Sequence, residues 1–261
     1  MILIDKPEGI SSFGVVAKVR GWLKAKYGHK VKVGHTGTLD PFATGLLILL
    51  SGKMTKKSGE FLKLDKEYVA TMRLGYTSTT GDPEGEVRAY SNEDCIEQIQ
   101  SCSTRGAAGQ IQSHLVSDTG RSRPSLRGER PNSRPWPPKC PQLSVIESIL
   151  RSFVGKIEQA PPKYSAIKIN GRRAYELARK GVEFEIPTRK VEIYEIEVLS
   201  YKWPELKVRC KVSSGTYIRT LAKDIGEKLG VGAYLIALRR TRVGDYSVDN
   251  AVKLDELTCV A

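Results

Sequence analysis

Three stretches of the chain alternate apolar and polar residues, which is the pattern of a β-strand buried on one face. They span residues 67–74 (EYVATMRL), 190–200 and 206–212. Segments with helical spacing of apolar residues also occur, but strands and helices do not follow one another in the regular order of a parallel sheet. The sequence therefore predicts an α+β fold built around a mixed, largely antiparallel sheet flanked by helices and loops.

The remaining elements are predicted from shorter patterns. Ser11 or Ser12 can cap a helix whose apolar residues recur at helical spacing. Three more helices are predicted: one capped by Ser144 with Val145, Ile149 and Phe153 on one face, one over residues 172–180 ending at Gly181, and one over residues 216–229 ending at Gly230. Short strands are predicted at residues 2–4 and 46–50, and a final core strand at residues 233–243.

The charge of the chain indicates its class of partner. Its 261 residues include 42 Lys and Arg against 29 Asp and Glu, for a net charge of +13. This excess favours a polyanion, either nucleic acid or an anionic membrane surface. The longest apolar run, residues 45–50, is far shorter than the ~20 residues that cross a bilayer, and the N-terminus lacks the pattern of a signal peptide. We therefore expect a cytoplasmic protein that binds nucleic acid.

Residues 101–142 differ in composition from the rest of the chain. They contain six of the thirteen prolines, seven Lys or Arg residues and two acids. Such a segment cannot bury enough apolar surface to offset the entropy lost on ordering. We predict a disordered basic insertion in a surface loop of one domain that spans residues 1–261, and it is either a passive insert or a segment that helps gather RNA.

The cysteines and histidines give no metal-binding pattern. Cys95, Cys102, Cys140, Cys210 and Cys259 form no CxxC pair, and the three histidines are scattered. The sequence SGKMT at residues 51–55 lacks the upstream glycine of a phosphate-binding loop. We expect no metal, no disulfide framework and no nucleotide cofactor.

The stretch VGHTGTLDPFATGLL, residues 33–47, holds a lone carboxylate, Asp40, in a glycine-rich turn ahead of an apolar run. Taken alone, an Asp before a Pro is a solvated turn former. Ordinary structural roles also account singly for Tyr68 in a strand, Asp82 in a turn and Arg219 at a helix start.

Taken together, five blocks resemble one family. In order they are IDKPEGISSFGVVAKVR, VGHTGTLDPFATGLL, DKEYVATMRLG, PPKYSAIKINGRRAYELARKG and SSGTYIRTLAKDIGEKLG. The series is similar to the bacterial TruB family of tRNA pseudouridine synthases, and GHTGTLDP and GTYIRT are its most specific parts. The resemblance covers essentially the whole chain outside residues 101–142.

The resemblance implies a pseudouridine synthase fold and a set of site residues. Asp40 is the implied catalytic carboxylate, Arg219 is paired to it, and Tyr68 stacks on the target base near the reacting carbon. Four further residues are expected to line the substrate site: His35, Tyr217, Leu238 and Asp82.

The implied reaction converts uridine 55 in the tRNA T loop to pseudouridine without a cofactor. The nucleotide must be extruded from its stack. Asp40 has to be ionised, either as a nucleophile at the sugar or as a base that removes a sugar proton. Burial raises the pKa of a carboxyl and a neighbouring guanidinium lowers it, so we expect Arg219 to keep Asp40 charged.

Several alternatives stay open. Family members usually continue past VKLDEL, residues 252–257, into a small RNA-binding PUA domain, which we expect to be absent because the sequence stops at Ala261. We expect a monomer that binds the T-arm stem-loop. A guide-RNA-dependent pseudouridine synthase of the same superfamily, or a non-catalytic RNA-binding protein, would share much of this pattern.

Overall fold

The structure is a computed structural model that describes residues 1–91, 140–169 and 171–258. The predicted insertion at residues 101–142 lies outside the described residues except for its last three, Cys140, Pro141 and Gln142. These three lead into a helix, and the hydroxyl of Tyr201 donates to the Pro141 carbonyl at 2.9 Å. That contact fastens the end of the predicted insertion to the main sheet.

A mixed sheet dominates the fold. Within the described residues it contains ten strands: β1 (Ile2–Lys6), β2 (Val33–His35), β3 (Thr44–Ser51), β4 (Lys66–Leu74), β7 (Gly155–Gln159), β10 (Arg189–Lys202), β11 (Glu205–Val212), β12 (Ala233–Val243), β13 (Tyr246–Ser247) and β14 (Val252–Lys253). Eight of them follow the order β14-β1-β3-β12-β4-β11-β10-β7, with β2 beside β3 and β13 beside β12. Only the β1–β14 and β3–β12 pairs are parallel in this described sheet. The predicted α+β class with a largely antiparallel sheet is confirmed.

Helices and two small hairpins surround this sheet. The helices are α1 (Ser12–Tyr27), α2 (Ser58–Leu62), α3 (Leu143–Arg151), α4 (Ala174–Arg179), α5 (Ile218–Lys228) and α6 (Leu254–Thr258), with 3₁₀ turns at Gly52–Lys57 and Val248–Asn250. The hairpins pair β5 (Tyr76–Ser78) with β6 (Val87–Ala89), and β8 (Lys168–Ile169) with β9 (Arg172–Arg173). In the part of the chain that the structure describes, no helix is long and apolar enough to cross a membrane.

Helix α1 forms where the sequence predicts it. Ser11 is the N-cap and its side chain accepts from the Gly14 amide at 3.0 Å, which satisfies a free donor of the first turn. Gly28 ends the helix with a φ of 74°. The buried face packs on β1 and β3 in a cluster that includes Val15, Val16, Val19, Leu23, Ile4, Leu47 and Leu49. Each fully buried Val or Leu stabilises the fold by about 1.5–3 kcal/mol.

Helix α5 packs on the centre of the sheet and brings its first turn to the end of β7. Leu221, Ala222 and Ile225 join the largest core cluster together with residues of β4 and β12. Position 226 requires a glycine because the chain at Ala233 passes close to it: a Cβ there would lie 2.2 Å from the Ala233 backbone nitrogen. The turn after α5 therefore folds directly back into β12.

The predicted face of α3 was partly wrong, although Phe153, just after the helix, packs against the core as predicted. Ile146 and Leu150 are buried, whereas Val145 is exposed, and the N-cap is Gln142 rather than Ser144. The sequence has two adjacent apolar pairs, Val145–Ile146 and Ile149–Leu150, so helical spacing alone fits two neighbouring faces. Packing against the sheet selects one of them.

Two other helix predictions were too long. Residues 172–180 divide into strand β9 and the short helix α4, because Arg172 and Arg173 pair with Ile169 and Lys168 across the turn at Gly171. Helix α5 begins at Ile218 rather than at residue 216, with Tyr217 as its N-cap in an extended conformation. Strand β12 matches the predicted residues 233–243, but β13 and β14 follow it.

Candidate active site around Asp40 and Arg219

Asp40 lies in the loop between β2 and β3, and neighbouring elements fix this loop on both sides. From the first turn of α1, the Ser12 hydroxyl donates to the Leu39 carbonyl at 2.9 Å and accepts from the Leu39 amide at 2.8 Å. From β1, the buried ammonium of Lys6 donates to the Pro41 carbonyl at 3.0 Å. The Asp40 side chain remains 33% exposed. The carboxylate is therefore held at a defined place while staying accessible.

Arg219 connects Asp40 to the interior of the protein. Its Nε lies 3.1 Å from Asp40 Oδ2, and its Nη1 donates to Asp82 Oδ2 at 2.9 Å. The same guanidinium donates to the carbonyls of Thr80 at 3.1 Å and Tyr164 at 2.8 Å. Only 6% of the side chain is exposed. A guanidinium with this many fixed partners has one orientation, so it aims the carboxylate that it contacts.

Asp82 is buried behind Arg219. Its side chain is 4% exposed, accepts from the Thr80 hydroxyl and from the Glu84 amide at 3.1 Å, and pairs with Arg219. Asp82 was predicted to bind substrate. Because its oxygens are engaged by the protein and shielded from solvent, its geometry fits a residue that positions Arg219.

The pKa of Asp40 reflects burial more than the nearby Arg219. Its pKa is raised above the ordinary value, chiefly because burial disfavours the charged form. Arg219 opposes this shift, and the nearby negative charge of Asp82 adds to it. Arg219 was expected to outweigh the effect of burial on the pKa of Asp40. It lowers this pKa but only partly offsets burial.

Tyr68 and Leu238 form an apolar wall beside the Asp40 loop. Both belong to the core cluster that contains Leu39 and Phe42, the residues flanking the Asp40–Pro41 step. Tyr68 is 8% exposed and Leu238 is 7% exposed. Burial raises the pKa of the Tyr68 hydroxyl, so it is neutral near pH 7, while a hydrogen bond with Arg240 opposes this shift.

Arg240 is a site residue that the sequence analysis missed. Its side chain is 1% exposed, Nε donates to the Leu46 carbonyl at 2.8 Å, and Nη2 donates to the Gly37 carbonyl at 3.2 Å. Gly45, with a φ of 101°, permits this approach because a Cβ would lie 2.3 Å from the Arg240 carbonyl oxygen. The available signal was strand periodicity, which places Arg240 on the same buried face as Leu238.

His35 at the end of β2 and Tyr217 at the N-cap of α5 do not contact the Asp40 carboxylate through a polar atom. Neither makes a hydrogen bond or ion pair with Asp40 within the described residues. The pKa of His35 is lowered by burial and by Arg240, which keeps the imidazole neutral. The ring of Tyr217 lies under the Arg189 guanidinium, 5.5 Å from centroid to carbon.

Gln159 is a second residue that the sequence analysis missed. Its side-chain amide accepts from the Tyr217 backbone N–H at 2.7 Å and donates to the Tyr217 carbonyl at 3.1 Å. Gln159 is 1% exposed at the end of β7. It thereby fixes the start of α5, two residues before Arg219. No local sequence pattern links positions 159 and 217.

The whole arrangement is suited to chemistry on an electrophilic carbon or an acidic C–H bond. It offers an accessible carboxylate, a guanidinium that orients it, and an aromatic and aliphatic wall for a planar group. Carboxylates act as covalent nucleophiles and as general bases in such settings.

Two family models match the chain. "TruB family pseudouridylate synthase (N terminal domain)" matches residues 23–116 and 129–218. "tRNA pseudouridylate synthase B C-terminal domain" matches residues 219–261. The first model alone covers more than half of the sequence, which defines the chain as a pseudouridylate synthase. The chain belongs to the TruB family of pseudouridylate synthases and is an isomerase.

Curated relatives agree with this assignment. The chain is 38% identical over 257 residues to tRNA pseudouridine synthase B of Phocaeicola vulgatus, covering 98% of this chain and 90% of the relative. It is 40% identical over 257 residues to the enzyme of the same name in Bordetella avium, covering 98% of this chain and 86% of that one.

Solved structures share the fold. A chain of "Crystal Structure of a Cbf5-Nop10-Gar1 Complex" matches with a TM-score of 0.60 and 27% identity, covering 97% of this chain and 52% of that chain. A chain of "Structure of H/ACA RNP bound to a substrate RNA containing 2'-deoxyuridine" matches with a TM-score of 0.56 and 26% identity, covering 97% and 50%. The present chain thus spans about half the length of these solved chains.

Proposed function

We propose that this protein converts uridine 55 in the T loop of tRNA to pseudouridine, with Asp40 as the catalytic carboxylate. The single observation that carries the proposal is the contact between a partly exposed Asp40 and a buried Arg219, 3.1 Å apart. The tRNA substrate is supported by the relatives at 38% and 40% identity, both of which are tRNA pseudouridine synthases.

The reaction requires the target base to leave its stack. In this proposal the nucleotide is extruded, at a cost of a few kcal/mol, and the uracil lies against Tyr68 and Leu238. Stacking on an aromatic ring recovers roughly 1–3 kcal/mol per base. His35 and Tyr217 contact the extruded nucleotide at the rim of the site.

The chemistry is an isomerisation. The bond between sugar C1′ and uracil N1 breaks, the base turns, and a bond from C1′ to C5 forms. The proton lost from C5 is balanced by one gained at N1, so no redox cofactor or group donor is consumed. Asp40 either attacks the sugar as a nucleophile or removes a sugar proton, and both routes require its ionised form.

Arg219 serves this chemistry by holding the carboxylate. Because burial raises the pKa of Asp40, the ionised form needs a compensating positive charge at a fixed place. Arg219 supplies it, and Asp82 keeps Arg219 oriented from behind. We propose that Asp82 acts through Arg219 and not by touching the RNA.

We also propose that residues 1–261 form one catalytic domain that acts as a monomer. The single domain is supported by the continuity of the sheet, since β1 near the start of the chain pairs with β14 near its end. The monomer is part of the proposal, and the mass of the purified protein in solution tests it.

A guide-RNA-dependent pseudouridine synthase is the second candidate function. It is favoured by the likeness to chains from Cbf5 and H/ACA complexes. The higher identity to the tRNA pseudouridine synthases argues for the first candidate.

Pseudouridine mapping separates the two candidates. Purified protein is incubated with an unmodified tRNA transcript and with an isolated T-arm hairpin, in the absence of any guide RNA. We expect modification of both at the T-loop uridine alone. Modification only after a guide RNA is added, or at uridines outside the T loop, would overturn the proposal.

A further inference from the structure

Charge in the N-terminal part of the chain is strongly one-sided. Residues 9–59 contain nine Lys or Arg residues and a single acid, which is Asp40. The nine are Lys18, Arg20, Lys24, Lys26, Lys30, Lys32, Lys53, Lys56 and Lys57, and together they are called the α1 surface below. No segment of similar length elsewhere among the described residues has such an imbalance.

All nine residues are exposed. None forms a salt bridge with a carboxylate in the part of the chain that the structure describes. By contrast, the partly exposed Arg209 on β11 is paired with Glu195 and Glu197. Mutual repulsion among unpaired cations destabilises a compact fold. Such a cluster is therefore expected where a polyanion neutralises it.

Two contacts join the elements that carry the α1 surface. Arg20 Nη2 donates to the Val33 carbonyl at 2.6 Å, which joins α1 to the start of β2. The Gly52 amide donates to the Lys32 carbonyl at 2.8 Å, which joins the segment before β2 to the 3₁₀ turn Gly52–Lys57. The lysines on α1, on the connection to β2 and on the 3₁₀ turn thus belong to neighbouring elements.

The α1 surface leads away from the catalytic loop. Ser12, in the first turn of α1, contacts Leu39 next to Asp40. The helix has 16 residues, so its far end lies about 24 Å from that loop at ~1.5 Å per residue. Strand β3 separates Asp40 from Lys53 by a similar distance, because its eight residues rise ~3.3 Å each.

We propose that the α1 surface binds the phosphate backbone of the tRNA outside the target loop. This inference rests on the proposed function for its partner. Phosphates along one strand of a duplex are spaced ~3.4 Å apart, so a path of about 24 Å passes roughly seven of them. The cations contact phosphates and read no base, so they set affinity and register, while the Asp40 site performs the chemistry.

The test compares two triple variants with equal loss of charge. Lys53, Lys56 and Lys57 are changed to Gln in the first. The control changes Lys202, Lys207 and Lys211 to Gln, which are exposed residues of β10 and β11 on the other half of the sheet. Equilibrium binding of full-length tRNA is measured from low to moderate salt, and the single-turnover rate at saturating enzyme is measured for both.

The first variant is expected to bind tRNA at least ~10-fold more weakly at low salt, with a slope of log Kd against log salt reduced by up to about 3. Its single-turnover rate at saturation should match the wild type, and the control should match the wild type in every measurement. Equal weakening of tRNA binding in both variants would show that the total positive charge, and not the α1 surface, attracts the RNA. Unchanged affinity in the first variant would also refute the proposal.

These outcomes are distinct from failure of the proposed function. Wild-type protein that binds tRNA through the three lysines but leaves the T-loop uridine unmodified would refute the proposed function alone. Protein that modifies this uridine, with tRNA affinity unaffected by the first variant, would refute the α1 surface alone.

Discussion

The Asp40 site and the α1 surface use charge in opposite ways. In the site, Arg219 contacts two carboxylates and two backbone carbonyls, and it is almost fully buried. On the α1 surface, nine cations are exposed and have no ion pair with a described carboxylate. A charged side chain whose partners all lie in the protein is held in one orientation. A charge without such a partner is free to meet a ligand.

This difference also separates what each region contributes to stability. Removing one partner of a buried ion pair costs about 3–5 kcal/mol because the other charge is left unpaired. Substitution of an exposed lysine changes stability by roughly 0.5 kcal/mol or less. Variants in the Asp40 site should therefore affect folding as well as turnover, whereas variants of the α1 surface should affect only RNA binding.

The largest effect is expected from Asp40→Asn. The isosteric amide cannot act as nucleophile or base, so the single-turnover rate should fall by on the order of 10⁴-fold or more. Affinity for tRNA should stay within a few-fold of the wild type, because binding is distributed over many phosphate contacts. Rapid-quench assays and filter binding measure the two quantities. Loss of affinity in parallel with rate would mean that the site and the binding surface are not separable.

Arg219→Gln should slow turnover by roughly 10²–10³-fold, the usual effect of removing one oriented charge or donor from an active site. It should also destabilise the fold, because Asp82 is left buried without its cation. The double variant Arg219→Gln/Asp82→Asn is the matched control. It should recover thermal stability but not turnover, and recovery of both would show that Arg219 is only structural.

Asp82→Asn distinguishes positioning from substrate binding. Because Asp82 lies behind Arg219 and is 4% exposed, we expect kcat to fall by about 10-fold with little change in KM. The melting temperature should fall by several degrees. A rise in KM at constant kcat would instead support the role in substrate binding that the sequence suggested.

The smallest effect is expected from Gln159→Ala. The change removes two hydrogen bonds to the Tyr217 backbone, each worth about 1 kcal/mol. We expect a few-fold decrease in kcat, since the start of α5 and hence Arg219 would be less firmly held. Amide hydrogen exchange of the first turn of α5 should increase, and an unchanged exchange rate would contradict this explanation.

The sequence predicted most of the sheet because strand periodicity is local. Strands β4 and β11 have the predicted residues to within one position, and β12 matches at both ends. It did not predict β2, whose three residues are fixed by pairing with β3 rather than by their own pattern. The face of α3 was missed for a related reason, since only packing on the sheet distinguishes two adjacent apolar faces.

The sequence predicted some residues of the candidate site and missed others. Asp40, Tyr68 and Arg219 were named from motifs that lie far apart in the sequence, and the structure places Arg219 against Asp40. The contact between Arg219 and Asp82 joins residues 137 positions apart and has no local signal. Gln159 was missed for the same reason. Arg240 could have been found, because a charged residue on the buried face of a core strand requires specific partners.

The pH dependence of the single-turnover rate tests most directly the claim that Asp40 reacts as an ionised carboxylate paired with Arg219. Burial raises the pKa of Asp40 and Arg219 lowers it, so turnover should fall as the pH decreases through a pKa above that of an ordinary aspartate. Removing Arg219 removes the lowering effect.

The acid limb of Arg219→Gln should therefore move to higher pH than that of the wild type. The control is Arg189→Gln, which removes a guanidinium over Tyr217 that is not among the charges acting on Asp40, and its acid limb should stay in place. An acid limb that is unchanged in Arg219→Gln, or that moves to lower pH, would contradict the account.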